Sequence, residues 1–144
     1  MCSRCNYRET LERAGLEATP GRLRVLEVVG GHPAPLSAAD IHRTVNRTGR
    51  LDRVTVYRIL DRLVREKILQ ELWLGGRRRL YGMAPSEHHP PHPHFRCARC
   101  GAVQCLPPGG VRVDLGGVRR VFVGEIREVE VRLEGLCANC LNRD

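Results

Sequence analysis

Between residues 54 and 66 the order of apolar and polar side chains follows a helical period. In RVTVYRILDRLVREK, Val56, Ile59, Leu60, Leu63 and Val64 recur at i, i+3, i+4, i+7 and i+8, so one face is buried. The other face carries Val54, Arg58, Asp61, Arg62 and Arg65, with Thr55 and Tyr57 on the flanks. Three further helices are predicted before it. One covers about Arg8–Ala14 and stops at Gly15. A second starts at Thr19-Pro20, with Thr as N-cap and Pro in the first helical position. Leu23, Leu26 and Val29 give it an apolar stripe, and Gly30-Gly31 are read as its end. A third opens with the capping-box-like Ser37-Ala-Ala-Asp40 and runs to about Val45; the fourth starts at Asp52 or Thr55. ILQELWL and RRRLYGM then flank Gly75-Gly76 as a β-hairpin. Helices followed by a hairpin form a winged-helix layout, with 54–66 as the recognition helix.

The pattern changes near Met83. APSEHHPPHPH is rich in Pro and His and excludes a helix. Beyond it, strands are predicted at His94–Cys97, Ala102–Leu106 and Val129–Leu133. Val111, Leu115, Val118 and Phe122 have helical spacing, but the glycines among them shorten any helix. The expected organisation is therefore α+β: a winged-helix domain over residues 1–83, a hinge over 84–91 and a small α/β domain over 92–144.

Composition adds a partner and a staple. A net charge of +8, carried mostly by arginine, fits a polyanion such as double-stranded DNA, although a merely soluble basic surface has the same charge. Aromatic residues make up only 4%, so each small domain has a thin core. Six of the seven cysteines form three C-x-x-C pairs: Cys2/Cys5, Cys97/Cys100 and Cys137/Cys140. The polar start MCSRCNYRET does not look like a secretory leader, and no apolar run is long enough to span a membrane. The expected setting is cytoplasmic and reducing, where such pairs read as metal ligands.

Cys97, Cys100, Cys137 and Cys140 form two knuckles that complete a tetrahedral Zn2+ shell, a structural site. His92 and His94 lie just upstream. In an extended strand they share one face, while Phe95 and Cys97 point to the other, so the histidines belong to a second site. Pro93 then has to sit at an edge or just before the strand. A solvated linker with free imidazoles is the alternative. Cys2/Cys5 has no visible partner ligands and is read as a loose thiol pair.

Together, TPGRLRVLEVV, VTVYRILDRLVREKIL with its T-V-Y-R string, GGRRRLYGM, HPHFRCARCG and LEGLCANC resemble the ferric uptake regulator family of metal-dependent repressors. The resemblance covers nearly the whole chain. It implies a homodimer with an N-terminal winged helix, a C-terminal α/β dimerisation domain, a four-cysteine structural zinc and a sensory metal near the hinge. Metal loading would fit the dimer to a palindromic operator. By position, Tyr57 and Arg58 match the base-reading pair, next to Thr55, and Arg22 matches a backbone contact; Arg62 and Arg65 suit phosphates.

The sensory set departs from the family pattern. The acidic ligand expected in the wing strand is replaced by Gly82, and a carboxylate position after the first knuckle by Cys105. This leaves His92, His94 and Cys105, with His32, Glu71, His88 or His89 as a fourth ligand. A thiolate among imidazoles favours Zn2+ over Fe2+ and points to the zinc-uptake branch. Cys105 also reads as a small buried hydrophobe. Two other functions fit less of the chain. One is a constitutive or redox-responsive DNA-binding regulator with structural zinc alone. The other is a zinc hydrolase using His92 and His94, but no general base accompanies them.

Overall fold

The computed structural model describes residues 5–73 and 78–143, and the chain forms two compact units, Met1–Pro90 and Pro91–Asp144.

The first unit opens with α1 (Tyr7–Arg13), whose N-cap Asn6 accepts from the Glu9 N–H at 3.3 Å. The Leu16 N–H reaches back to the Leu11 carbonyl and the Gly15 N–H to that of Glu12, with Gly15 at φ +73, so α1 ends in a Schellman turn. In α2 (Pro20–Gly31) the Thr19 hydroxyl caps the Arg22 N–H at 3.3 Å. The two glycines expected to end this helix are its last two residues. Gly30 is there for packing: a Cβ at this position would collide with the Tyr7 hydroxyl.

A two-residue strand that the periodicity did not reveal follows, β1 (Leu36–Ser37), and Ser37 also caps α3 (Ala38–Val45). Ser37 Oγ accepts from the Asp40 N–H at 3.2 Å and donates to the Asp40 carboxylate at 2.7 Å. Asp52, not Thr55, starts α4 (Arg53–Arg65); its carboxylate accepts from the Thr55 N–H at 2.6 Å. Val56, Ile59, Leu60 and Leu63 of α4 are buried and Val64 is half-buried. A second Schellman turn ends α4, with Ile68 N–H to Leu63 O and Lys67 N–H to Val64 O, but the left-handed position holds Lys67 at φ +57.

β2 (Leu69–Leu72) and β3 (Leu80–Met83) are antiparallel arms of the wing, and β1 pairs with the outer side of β3 to give the order β1-β3-β2. The expected Gly75-Gly76 turn lies outside the described residues. Leu11, Val25, Leu26, Ile41, Val45, Val56, Leu60, Leu63, Leu69 and Tyr81 are almost fully buried in a single core.

In the second unit, β4 (His94–Cys97) is central, antiparallel to β5 (Val103–Cys105) on one side; short α5 (Gly116–Val121) follows β5 in the chain. On its other side β4 runs parallel to β6 (Arg132–Gly135), which leads into α6 (Ala138–Leu141). Two expectations need correction. The last strand starts at Arg132, not Val129, because pairing with β4 sets its register: His94 lies opposite Arg132, and Gly135 lies opposite Cys97. The helix expected across Val111–Phe122 covers only residues 116–121 and buries nothing; Gly116 and Gly117 fall in its first turn, where a costly nucleus is weakened further. Pro93 precedes β4 as required, using its carbonyl to accept from the Leu106 N–H at 2.9 Å.

Among the described residues of this unit, the buried ones are Pro93, His94, Cys97 and Cys140, the last three at 4%, 0% and 3% exposure. The unit therefore has almost no hydrocarbon core, and ligand-type side chains occupy its centre.

Candidate metal centres and nucleic-acid face

β4 and its turn bring two thiols to one point, and the start of α6 brings two more. The Gly101 N–H donates to the Cys97 carbonyl at 2.9 Å, with Gly101 at φ +74, which closes the first knuckle around Cys97 and Cys100. The Cys140 N–H donates to the Cys137 carbonyl at 3.0 Å and closes the second. The Ala98 N–H bonds Gly135 O at 2.8 Å, and the Arg99 guanidinium bonds the Cys140 carbonyl at 2.7 Å, holding the knuckles together. The four Sγ atoms lie within 4.8 Å of one another, and those of Cys100 and Cys137 are 3.7 Å apart. That is far beyond a disulfide bond. A tetrahedral Zn2+ with bonds of about 2.3 Å to sulfur spaces its ligands about 3.8 Å apart. The geometry and donor chemistry of this quartet therefore fit zinc.

The protonation pattern is consistent with that fit. Backbone N–H groups, first that of Cys100 and then that of Cys137, which lies 3.4 Å from the Cys97 sulfur, pull the Cys97 thiol down to about 6. Burial, followed by the neighbouring thiols, pushes Cys140 up to about 12. Four thiolates repel one another unless a cation joins them.

The histidines form a separate cluster. His92, His94 and Cys105 place one donor atom each within 4.8 Å of one another, and the two imidazole centroids are 4.7 Å apart. The β4/β5 register puts His94 opposite Cys105. Backbone bonds flank this pair at Pro93–Leu106 and Cys97–Ala102, so His94 and Cys105 occupy a non-hydrogen-bonded position, where side chains approach most closely. Strand alternation carries Phe95 and Cys97 to the opposite face. Burial, helped by the nearby His92, depresses His94 to about 4, and its buried Nδ1 has no hydrogen-bond partner among the described residues. A neutral imidazole with an unused nitrogen suits a metal. Burial also raises the Cys105 thiol, which a cation would reverse.

The four candidate additional ligands belong to the other unit, each in its own setting. His32 is exposed and its Nδ1 lies 2.8 Å from the Ala34 carbonyl. Glu71 is salt-bridged to Arg79 at 2.9 Å, and His88 is exposed. His89 Nε2 lies 3.0 Å from Cys5 Sγ, a contact that a separation of 84 residues hid from sequence reading. Gly82 sits opposite Gln70 in the wing.

On α4, Arg58, Arg62 and Arg65 are exposed, while Thr55 and Tyr57 are half-buried at the edge of the apolar face. Arg62 is salt-bridged to Glu66 at 3.0 Å. Arg22 is half-buried, and its guanidinium donates to the Glu17 carbonyl at 2.8 Å.

Residues 13–107 match the ferric uptake regulator family. The chain belongs to the ferric uptake regulator family. The ferric uptake regulation protein of Haemophilus influenzae is 30% identical over 95 residues, which is 65% of this chain and 63% of that protein. The chain thus spans less than two thirds of that relative's length. Among solved structures, the Helicobacter pylori ferric uptake regulator superposes with TM-score 0.72 at 22% identity, covering 93% of this chain and 88% of that one. A zinc uptake regulator complexed with zinc and DNA superposes with TM-score 0.62 at 25% identity, covering 97% of this chain and 98% of that one. Ferric uptake regulators are metal-binding, DNA-binding transcription regulators, not enzymes, so the hydrolase reading of His92 and His94 is withdrawn. The fold is the one expected of the family, and among the described residues no helix is long and apolar enough to cross a membrane.

Proposed function

We propose that this chain is a zinc-responsive transcriptional repressor of the cytoplasm that binds a palindromic DNA operator as a homodimer. The single observation that carries the metal assignment is the donor set His92, His94 and Cys105. One thiolate with two imidazoles is softer than an oxygen-rich ferrous site and favours Zn2+. Three protein donors leave one position of a tetrahedral shell for a further ligand.

The cysteine quartet takes the structural role, since it stands where the second unit lacks hydrocarbon. Tyr57 and Arg58 read bases, beside Thr55, and Arg22, Arg62 and Arg65 contact phosphates. Val118, Val121, Phe122 and Val123 are exposed around α5, an apolar patch suited to a second copy of the chain.

The test is selection of duplexes from a random pool at fixed salt with Zn2+, Fe2+, Ni2+, Mn2+ or chelator. Specific binding should appear with Zn2+ and be lost in the His92→Ala/His94→Ala variant. Equal affinity under all five conditions would overturn metal sensing. A second reading, a redox-responsive regulator with structural zinc alone, draws on the Cys5–His89 contact, which sets an imidazole against a thiol outside both metal clusters. It predicts affinity that changes with peroxide and not with metal.

A further inference from the structure

Of the six aromatic residues in the chain, Tyr57, Trp73 and Tyr81 line one cavity of about 310 Å3 in the first unit. The remaining wall comes from Ser37, Ala38 and Ala39 at the start of α3 and from Arg78 and Arg79 before β3. Tyr81 is 1% exposed, and its buried hydroxyl has no hydrogen-bond partner among the described residues. Native folds rarely leave such a group unsatisfied. Burial raises the Tyr81 pKa, so the hydroxyl keeps its proton and can donate.

The neighbouring groups are also donors. The amides of Ala38 and Ala39 lie in the first turn of α3, where no intrahelical acceptor exists and the helix dipole favours an anion. Arg78 is exposed and forms no ion pair among the described residues. Of the nearby carboxylates, Glu71 is bound to Arg79 at 2.9 Å and Asp40 to Ser37 and to Arg43 at 3.2 Å, while the charge of Asp61 also acts on Tyr81 and Arg79. Arg79 stays over the Tyr81 ring, 5.7 Å from its centroid. Trp73, 55% exposed, offers an apolar surface suited to a sugar.

We propose that this cavity binds a phosphate of the sugar-phosphate backbone of duplex DNA, donated to by the α3 amides, Arg78 and the Tyr81 hydroxyl. Tyr57 connects the site to the exposed face of α4, so the backbone beside the groove that α4 enters would reach it. The site anchors position and carries no base information. It rests on the DNA-binding reading above.

The test uses full-length, zinc-loaded protein and a duplex selected from a random pool, with single neutral methylphosphonates placed at each backbone position. Wild-type protein should lose about tenfold in affinity at one such position. Tyr81→Phe should bind the unmodified duplex about five- to tenfold more weakly and become insensitive at that same position. Its thermal midpoint should stay equal or rise, because the lost hydroxyl has no partner within the fold. Arg78→Ala should show the same positional insensitivity. Wild-type affinity in both variants, or an unchanged methylphosphonate pattern, overturns the site while leaving the DNA-binding reading intact. Failure of wild-type protein to select any duplex defeats that reading and the site with it. Quenching of Trp73 fluorescence by inorganic phosphate in such a protein would assign the cavity to a small anion instead.

Discussion

His94 and Cys105 face each other across an antiparallel strand pair at a position without backbone hydrogen bonds, and His92 lies beside them. Nothing in the spacing of residues 94 and 105 states this. It follows from the register of β4 against β5, and it turns two histidines and a cysteine into one donor set. Replacing Cys105 with Ser keeps the volume and removes the soft ligand. Metal analysis of purified protein should find two Zn2+ per chain in the wild type and one in Cys105→Ser or His94→Ala. Retention of both ions in either variant would contradict the assignment.

The quartet should behave differently. Cys97 and Cys140 occupy the centre of a unit with scarcely any hydrocarbon core, so its fold depends on the ligand cluster. Strong chelation, or Cys100→Ser, should abolish hydrogen-exchange protection in β4, β5 and β6. Amides of α2 and α4, over the apolar core of the first unit, should keep theirs. Uniform loss across both units would refute this independence.

Lys67 occupies a left-handed position that Gly15 fills in the matching turn after α1. A side chain there costs about 1–2 kcal/mol, and glycine's larger unfolded-state entropy returns part of the gain. Lys67→Gly should stabilise the first unit by about 0.5–1 kcal/mol, and Gly15→Ala should destabilise it by a similar amount. Urea unfolding followed by Trp73 fluorescence reports both changes.

Asp52 caps α4, and its carboxyl lies below its ordinary value, first because the Thr55 N–H bonds it and next because of the Thr55 side chain. A depressed pKa means that the ionised cap stabilises the fold above the unfolded value, about 3.9, and that this stability is lost as pH falls through the folded value. Asn also caps but carries no charge. The stability gap between wild type and Asp52→Asn should therefore be present at pH 6 and close as pH drops below about 4. A pH-independent gap would show that the charge plays no part.

Gly30 was legible as part of the end of α2, and the tertiary structure gives it a second role. Its lack of a side chain makes room for Tyr7, a contact with a residue 23 positions earlier in the chain. The strand before α6 was placed three residues early for a related reason. Apolar Val129 and Val131 suit a strand, but parallel pairing with β4 set the strand at Arg132–Gly135. In each case a partner distant in sequence supplied what the local pattern did not record.

The sequence alone determined the features whose interactions close within about four residues: the caps at Thr19, Ser37 and Asp52, the buried stripe of α4 and the turns of both cysteine knuckles. Their donors and acceptors are neighbours along the chain, so composition and spacing suffice to identify them. The tertiary structure decided the rest: β1 beside the wing, Cys105 opposite His94, and Tyr81 at a cavity whose other walls come from Ser37, the start of α3, Tyr57 of α4, Trp73 after β2 and the arginines before β3. These juxtapositions depend on strand register and on which faces pack together. A single-residue slip in register would turn each side chain to the other face of its sheet, and no local pattern records that choice.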